Sequence, residues 1–230
     1  MKSKSTPWLI PALFFCLAAA LNLYGKLFFN PMAAAVKPAL LPLLSLATLA
    51  AAGSLERRET KLLVLAQLLG CVGDVFLLFS GFRPFLGGMA AFGAGHGVYL
   101  VLFGGRSWKG IGWKTWAAAL AVMLAFVALI VHFVGAEGTL LVPMYVYGLI
   151  LTLLIFSGLA GVVRERTAPW WYVTAGAVLF TLSDAMIAYE TFHEQIPRAV
   201  PFLVMLTYLA AQALLAAGGV KLSGSKAPQK

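Results

Sequence analysis

The chain has 230 residues, of which 61% are hydrophobic and only 11% are charged, whereas soluble domains carry roughly 25% charged residues. A water-soluble fold of this length could not hide so much apolar surface, so the composition excludes a soluble globular protein. The net charge of +9 would suggest nucleic-acid binding in a soluble protein. In a membrane protein the placement of basic residues in loops explains it better, and we expect no nucleic-acid partner.

Eight long apolar segments follow one another along the chain with short connections. Each has about 18 to 25 residues, enough to cross the hydrocarbon core as a helix, and none shows the alternation of a barrel strand. The sequence therefore predicts an all-α polytopic membrane protein, a bundle of about eight transmembrane helices in a single domain over residues 1–222. Residues 223–230 have the composition of a disordered tail. The predicted spans are 7–24, 32–52, 60–80, 85–104, 113–134, 139–163, 169–189 and 197–219.

Basic residues are distributed unequally between the two sets of loops. One set, with both termini, holds thirteen Lys and Arg residues, and the opposite set holds three, Lys26, Arg83 and Arg198. Lys37 lies within a span. Because basic loops stay on the cytoplasmic side, we expect both ends of the chain in the cytoplasm, which requires an even number of spans. We expect a multi-pass protein of the cell membrane, the inner membrane in a bacterium.

A short motif occurs in both halves of the chain. Residues 73–78 in the third span and 183–188 in the seventh each begin with a small residue followed by aspartate, Asp74 and Asp184. Four spans separate the two motifs. A four-plus-four helix duplication is therefore one organisation that the chain could have.

Ionisable residues inside a membrane span are costly and usually mark a functional site. The only two aspartates of the chain, Asp74 and Asp184, both lie within spans, and so do Lys37 and His96. At 1.5 Å per residue, both aspartates lie roughly 20 Å from the cytoplasmic ends of their helices, and Lys37 falls at nearly the same level. We expect the two carboxylates to face one shared polar cavity, within roughly 10 Å of each other.

The polar residues inside the spans could also have purely structural roles. Lys37 could pair with an aspartate to fix helix register or extend to the membrane surface. His96, among glycines, could be a hydrogen-bonded packing residue, and the tyrosines could be core aromatics. The three histidines do not form a metal site, and no serine lies in a nucleophile elbow. A buried carboxylate pair, by contrast, suits acid and base catalysis.

Several of these pieces, in this order and spacing, resemble the YhhN family of membrane proteins. They are Lys37-Pro38, the stretch from Gly70 to Leu78 with Asp74, His96-Gly97-Val98-Tyr99, a tyrosine of the sixth span, the stretch from Gly176 to Asp184, and Tyr208-Leu209-Ala210-Ala211-Gln212. The two aspartate-containing stretches are the specific ones. In the sixth span Tyr147 fits best, but Tyr145 is a second candidate.

This resemblance implies a lysoplasmalogenase, which hydrolyses the vinyl ether bond of lysoplasmenylethanolamine or lysoplasmenylcholine to a fatty aldehyde and a glycerophospho-alcohol. It implies Asp74 and Asp184 as catalytic residues, without a cofactor or metal. The partners would be the lysophospholipid substrate and membrane lipids, with the oligomeric state left open. The implied binding residues are Lys37, His96, Tyr99, Tyr147, Ser183 and Tyr208.

A second class of function also fits intramembrane carboxylates. Transporters and proton relays place such groups halfway through a helix bundle. The chain could therefore move or bind a lipid, with Asp74 and Asp184 as proton-coupled groups. Aldehyde release by the purified protein distinguishes the two hypotheses.

Overall fold

The computed structural model describes residues 7–224, and this part of the chain is helical throughout, without a β-strand. Eight α-helices and one 3-10 turn, Gly138–Leu140, account for its regular structure. The helices are α1 (Leu9–Phe28), α2 (Asn30–Ala52), α3 (Arg58–Phe76), α4 (Phe82–Ser107), α5 (Trp113–Val134), α6 (Leu141–Glu165), α7 (Ala168–Phe192) and α8 (Val200–Gly224).

The eight helices coincide with the eight predicted spans, which confirms the all-α membrane fold. Between residues 7 and 224, seven helices are long and apolar enough to cross a membrane, and α3 is the exception. Its 19 residues include four charged ones, Arg58, Glu59, Lys61 and Asp74. The predicted third span covers residues 60–80, whereas α3 begins earlier, at Arg58, and ends earlier, at Phe76. The chain turns directly after Phe76. The cytoplasmic placement of both termini stays a prediction.

The described chain divides into two compact units. The first contains residues 7–98 together with 219–224, and the second contains residues 99–218. The boundary falls within α4, close to the middle of the chain. The predicted single domain and the four-plus-four duplication stay predictions. Of the predicted tail, Ser223 and Gly224 belong to α8, and the remaining residues lie outside the described part.

In the first unit, α2 packs against both α1 and α3. Only Phe29 separates α1 from α2, and a methyl group on Gly25 would lie 2.6 Å from the backbone nitrogen of Ala33. Glycine therefore permits a closer approach of these helices than any other residue. The buried Asn22 amide donates to the Ala33 carbonyl at 2.8 Å, which ties the two helices together at the same level.

In the second unit, α6 packs against both α5 and α7. Gly158 and Gly161 lie on the face of α6 that meets α7, where added methyl groups would collide with Thr174 and Trp170. Trp170 is fully buried. Helix α6 ends at Glu165, and its C-cap residue Arg166 has a positive φ of 51°, which is the left-handed conformation. This close packing holds the two helices that carry Tyr147 and Asp184.

Candidate functional site

Lys37 of α2 and Asp74 of α3 form a buried ion pair. The Nζ atom of Lys37 lies 3.3 Å from Oδ1 of Asp74, and the two side chains are 11% and 3% exposed. Removing two charges from water costs several kcal/mol per ion, and their attraction offsets this only with good geometry and further hydrogen bonds. The pair therefore places an ammonium group and a carboxylate at one buried position, which is the structural alternative that the sequence left open for Lys37.

Two prolines in α2 explain a second contact beside this pair. Pro42 has no N–H group, so the carbonyl of Pro38 lacks the donor that an α-helix normally supplies from four residues ahead. The Cys71 thiol of α3 lies 3.4 Å from this carbonyl oxygen. The carbonyl oxygen of Pro38, the residue after Lys37, thus accepts a hydrogen bond from Cys71, which lies one turn before Asp74 on α3.

His96 of α4 is buried and its Nδ1 donates to the backbone carbonyl of Phe92 at 2.7 Å. Because a carbonyl only accepts, Nδ1 carries the hydrogen in this arrangement. The ring of Phe92 fills the space beside Gly73, where an added methyl group would lie 2.8 Å from the ring. Phe92 therefore contacts both residues: its carbonyl accepts the hydrogen bond of His96, and its ring packs beside Gly73, which precedes Asp74.

Tyr147 of α6 donates a hydrogen bond from its hydroxyl group to Oδ2 of Asp184 on α7. The Asp184 residue is 8% exposed. The competing candidate, Tyr145, is half-buried, and Tyr147 is the tyrosine that contacts the carboxylate. The contact favours Tyr147 in the choice that the sequence left open.

The other predicted binding residues of the second unit are buried but contact different partners. Ser183 donates from Oγ to the Val204 carbonyl of α8 at 3.1 Å. Because Ser183 directly precedes Asp184, this hydrogen bond joins α7 to α8 next to the aspartate. The ring of Tyr208 packs edge-on against Phe180 with centroids 5.4 Å apart. Tyr99 donates to Oε1 of Gln212 at 3.0 Å.

Sequence reasoning left two buried glutamines out of the candidate site. Gln212 accepts the hydrogen bond of Tyr99, and its spacing from Tyr208 already placed both on one face of α8. Gln67 donates from Nε2 to Thr48 of α2 at 2.9 Å. It precedes Asp74 by two helical turns on the same face of α3. The helical spacing of Gln212 from Tyr208 and of Gln67 from Asp74 could therefore have identified both glutamines from the sequence.

The predicted site residues fall into both units. Lys37, Asp74 and His96 belong to the first, while Tyr99, Tyr147, Ser183, Asp184 and Tyr208 belong to the second. Each aspartate receives a partner from the preceding helix of its own unit. The shared cavity for both carboxylates stays a prediction. Residues 7–224 contain no group of three His, Cys, Asp or Glu side chains arranged to hold a metal ion.

Comparison with protein families matches residues 32–219 to the YhhN family. The chain belongs to the YhhN family. This match covers both units and all eight predicted site residues, so the resemblance drawn from the sequence is confirmed. No solved structure matches the chain.

Curated relatives of this YhhN protein are lysoplasmalogenases. Lysoplasmalogenase TMEM86B of Homo sapiens is 34% identical over 178 residues, which cover 76% of this chain and 70% of the human protein. The TMEM86B protein of Rattus norvegicus is 34% identical over 73% of this chain and 65% of its own length. Lysoplasmalogenase TMEM86A of Bos taurus is 31% identical over 65% of this chain and 61% of its own. The chain thus spans about two thirds of these relatives.

Proposed function

We propose that the protein is an integral membrane lysoplasmalogenase. It hydrolyses the vinyl ether bond of lysoplasmenylethanolamine or lysoplasmenylcholine, and it releases a fatty aldehyde and a glycerophospho-alcohol. The observation that carries this proposal is 34% identity to a curated lysoplasmalogenase over three quarters of the chain. The multi-pass membrane fold suits a substrate that resides in the bilayer.

The chemistry of a vinyl ether agrees with the buried carboxyl groups. Such a bond is inert to base but is cleaved by acid, because protonation of the carbon β to the ether oxygen gives an oxocarbenium ion that water captures. The resulting hemiacetal collapses to an aldehyde and an alcohol. A proton donor and a negative charge are the two groups that this sequence needs, as in glycoside hydrolysis. No step requires a redox cofactor.

We assign Asp74 and Asp184 to this acid and base work. Both are buried, and each receives a cation or a hydrogen-bond donor from a neighbouring helix. Lys37 and Tyr147 hold the two carboxyl groups, whereas His96, Tyr99, Ser183 and Tyr208 shape the polar surroundings of the substrate. The proposal requires that both aspartates act on one bound lysophospholipid.

Aldehyde release by the purified protein tests the proposal. The protein in detergent or lipid nanodiscs is mixed with lysoplasmenylethanolamine, and aldehyde is measured with a coupled alcohol dehydrogenase. A matched lysophospholipid with a saturated ether should bind but release none, because an alkyl ether cannot form the stabilised cation by carbon protonation. Absence of aldehyde from the vinyl ether under all conditions, together with transbilayer movement of lipid, would favour a transporter.

The proposed location is the cell membrane, with both termini in the cytoplasm. Thirteen basic residues on one side against three on the other support this orientation. Reporter fusions at Ser54, Lys109 and the C-terminus should all give cytoplasmic signals. An external signal at the C-terminus would contradict both the orientation and the depth predicted for the aspartates.

A further inference from the structure

Basic side chains gather at the end of the second unit where α4 leads into α5 and α6 leads into α7. The residues are Arg106, Lys109, Lys114, Arg164 and Arg166, of which Arg106 is half-buried and the others are exposed. The guanidinium group of Arg164 donates from Nη1 to the backbone carbonyl of Lys109. This hydrogen bond brings the α4–α5 connection against the end of α6, so the basic residues of both connections lie at one surface.

The carboxylate at this surface is occupied by one of the basic residues. Glu165, the last residue of α6, accepts hydrogen bonds from Nε and Nη2 of Arg106, each at 2.6 Å. A guanidinium group and a carboxylate that meet at two points neutralise each other. The other carboxylates of residues 99–218 lie in the second half of α7 and in the connections at the opposite end, at Glu137, Asp184, Glu190 and Glu194. The four exposed basic residues therefore give this surface a net positive charge.

The α2–α3 connection of the first unit is a contrasting case. It is also basic, with Arg57, Arg58 and Lys61, but Glu56 and Glu59 lie within the same six residues and all five are exposed. Neighbouring charges of opposite sign cancel much of each other's field. The orientation of a membrane protein depends on its Lys and Arg residues and hardly on Asp and Glu. Orientation therefore explains basic residues in both connections, but it does not explain why one of them lacks exposed carboxylates.

Aromatic side chains fix the α4–α5 connection in place. Trp108 donates from Nε1 to Oγ of Ser157 on α6 at 3.1 Å. Its ring packs edge-on against Trp116 of α5 with centroids 5.3 Å apart, and Trp116 packs against Phe156 of α6 at 5.0 Å. Because these contacts already order the backbone, little conformational entropy is left to be lost when a ligand binds.

Exposed apolar side chains lie directly beside the basic ones. Trp113 precedes Lys114, Val163 precedes Arg164, and both apolar residues are 76% exposed. The Nζ atom of Lys114 lies 6.0 Å from the centroid of the Trp113 ring. Tryptophan is enriched where the hydrocarbon core meets the headgroups. The positive groups therefore lie at headgroup level, beside side chains that face the acyl chains.

We propose that this surface of the second unit binds the headgroup of an anionic phospholipid. The headgroup phosphate lies among Lys109, Lys114 and Arg166, and the acyl chains run along the exposed apolar residues of α5 and α6. Each basic residue near a bilayer surface strengthens the binding of anionic lipid by a factor of about five. The charges and the adjacent apolar surface together fit a lipid, which carries a phosphate and acyl chains in one molecule.

This lipid site is separate from the carboxyl group assigned to catalysis in the same unit. Asp184 follows Ala168, the first residue of α7, by 16 residues, or roughly 24 Å at the rise of an α-helix. The proposal therefore stands independently of the lysoplasmalogenase activity, and its test requires no substrate turnover.

Quenching of tryptophan fluorescence by brominated lipid measures the binding. The protein is reconstituted in mixtures of phosphatidylglycerol and phosphatidylcholine, with the bromine on the chains of one lipid and then of the other. Five of the six tryptophans belong to this end of the second unit, at positions 108, 113, 116, 170 and 171. We expect phosphatidylglycerol to bind at least about fivefold more tightly, and high salt should reduce this preference because exposed charges are screened. Equal binding of the two lipids would overturn the proposal.

A three-residue variant tests which charges are responsible. Lys109→Gln/Lys114→Gln/Arg166→Gln removes them but leaves the Arg164 contact, because Lys109 takes part in it through its backbone. The preference for phosphatidylglycerol should fall by at least about fivefold. The charge-conserving variant Lys109→Arg/Lys114→Arg/Arg166→Lys should keep the wild-type preference. A preference that survives the loss of all three charges would overturn the proposal.

The α2–α3 connection supplies a matched control. Arg57→Gln/Arg58→Gln/Lys61→Gln removes three exposed charges from the first unit and should leave the lipid preference unchanged. An equal loss in this control would show a response to the total charge of the protein and would contradict a site in the second unit.

Glycerol 1-phosphate distinguishes a lipid site from a site for any soluble phosphate. It carries the phosphate without acyl chains, so it should leave the quenching by brominated phosphatidylglycerol in place. Complete displacement of the brominated lipid by glycerol 1-phosphate would show that the occupant is a soluble anion, and the lipid assignment would then be wrong.

Discussion

Each unit holds one buried aspartate through a residue of the preceding helix, but the two contacts differ chemically. In the first unit, a buried ammonium group pairs with Asp74, and the neighbouring α2–α3 crossing contains the polar contact between Gln67 and Thr48. In the second, a phenol donates to Asp184, and α6 and α7 meet through Gly158 and Gly161. The two helix pairs therefore hold a buried carboxyl group by different means, an ion pair in the first unit and a hydrogen bond from a neutral group in the second.

The largest expected effect is loss of activity when either carboxyl group is replaced. Asp74→Asn and Asp184→Asn should each lower aldehyde release by at least about 10²-fold, because a positioned acid or base contributes that much. The double variant should be little worse than either single one, since residues that act as a unit are not additive. Glu137→Gln removes an exposed loop carboxylate and should keep the wild-type rate. Full activity in one Asn variant would remove that residue from the mechanism.

The second expected effect is a difference in stability between the two partner variants. Lys37→Met removes the cation from a buried ion pair and should lower the free energy of unfolding by about 3–5 kcal/mol. Tyr147→Phe removes one hydrogen bond and should cost about 1–3 kcal/mol. Unfolding by SDS titration measures both values.

A compensating substitution sharpens the same comparison. Adding Asp74→Asn to Lys37→Met also removes the buried carboxylate of the ion pair and should restore much of the lost stability. Adding Asp184→Asn to Tyr147→Phe should restore less, because less was lost. Equal costs and equal recovery in the two units would contradict the difference between an ammonium partner and a phenol partner.

The third prediction concerns the close helix packing in each unit. A methyl group at Gly25 would lie 2.6 Å from the backbone of Ala33, and one at Gly158 would lie 2.8 Å from the Cα of Thr174. Because backbone atoms cannot move aside cheaply, Gly25→Ala and Gly158→Ala should each destabilise by about 1–3 kcal/mol. Gly105→Ala adds its methyl group to open space and should leave the melting temperature unchanged. A stability loss as large at Gly105 would show that the effect is not one of packing.

The smallest expected effect distinguishes the two tyrosines of α6. Tyr147→Phe removes the donor to Asp184, so kcat should fall with little change in KM. Tyr145→Phe removes a hydroxyl group that has no assigned contact with the carboxylate and should change kcat less than about twofold, within the usual range for substitutions away from special features. Steady-state kinetics on both variants measures the difference. A larger loss in Tyr145→Phe would transfer the role to that residue.

Much of the fold could be predicted because membrane spans require long apolar runs with internally satisfied backbone groups. The α5 bounds coincide with the predicted span, and the ends of the other helices differ from the predicted ends by at most five residues. The eighth span was the least accurate, because α8 runs from Val200 to Gly224 and the predicted span was 197–219. The third helix begins within the basic residues Arg58 and Lys61, since a helix can continue into the interface where its charged side chains reach water.

The sequence by itself determined the helical membrane class, the two intramembrane aspartates and the family, because each follows from residue type and spacing along one chain. It also predicted Lys37 at nearly the same level as Asp74, which it contacts. Only the tertiary structure decided that Lys37 contacts Asp74, that Tyr147 rather than Tyr145 contacts Asp184, and that Tyr99 pairs with Gln212. Periodicity gives the height of a side chain along its helix. The rotation of one helix against the next, which decides its partner, depends on close contacts such as those of Gly25 and Gly158.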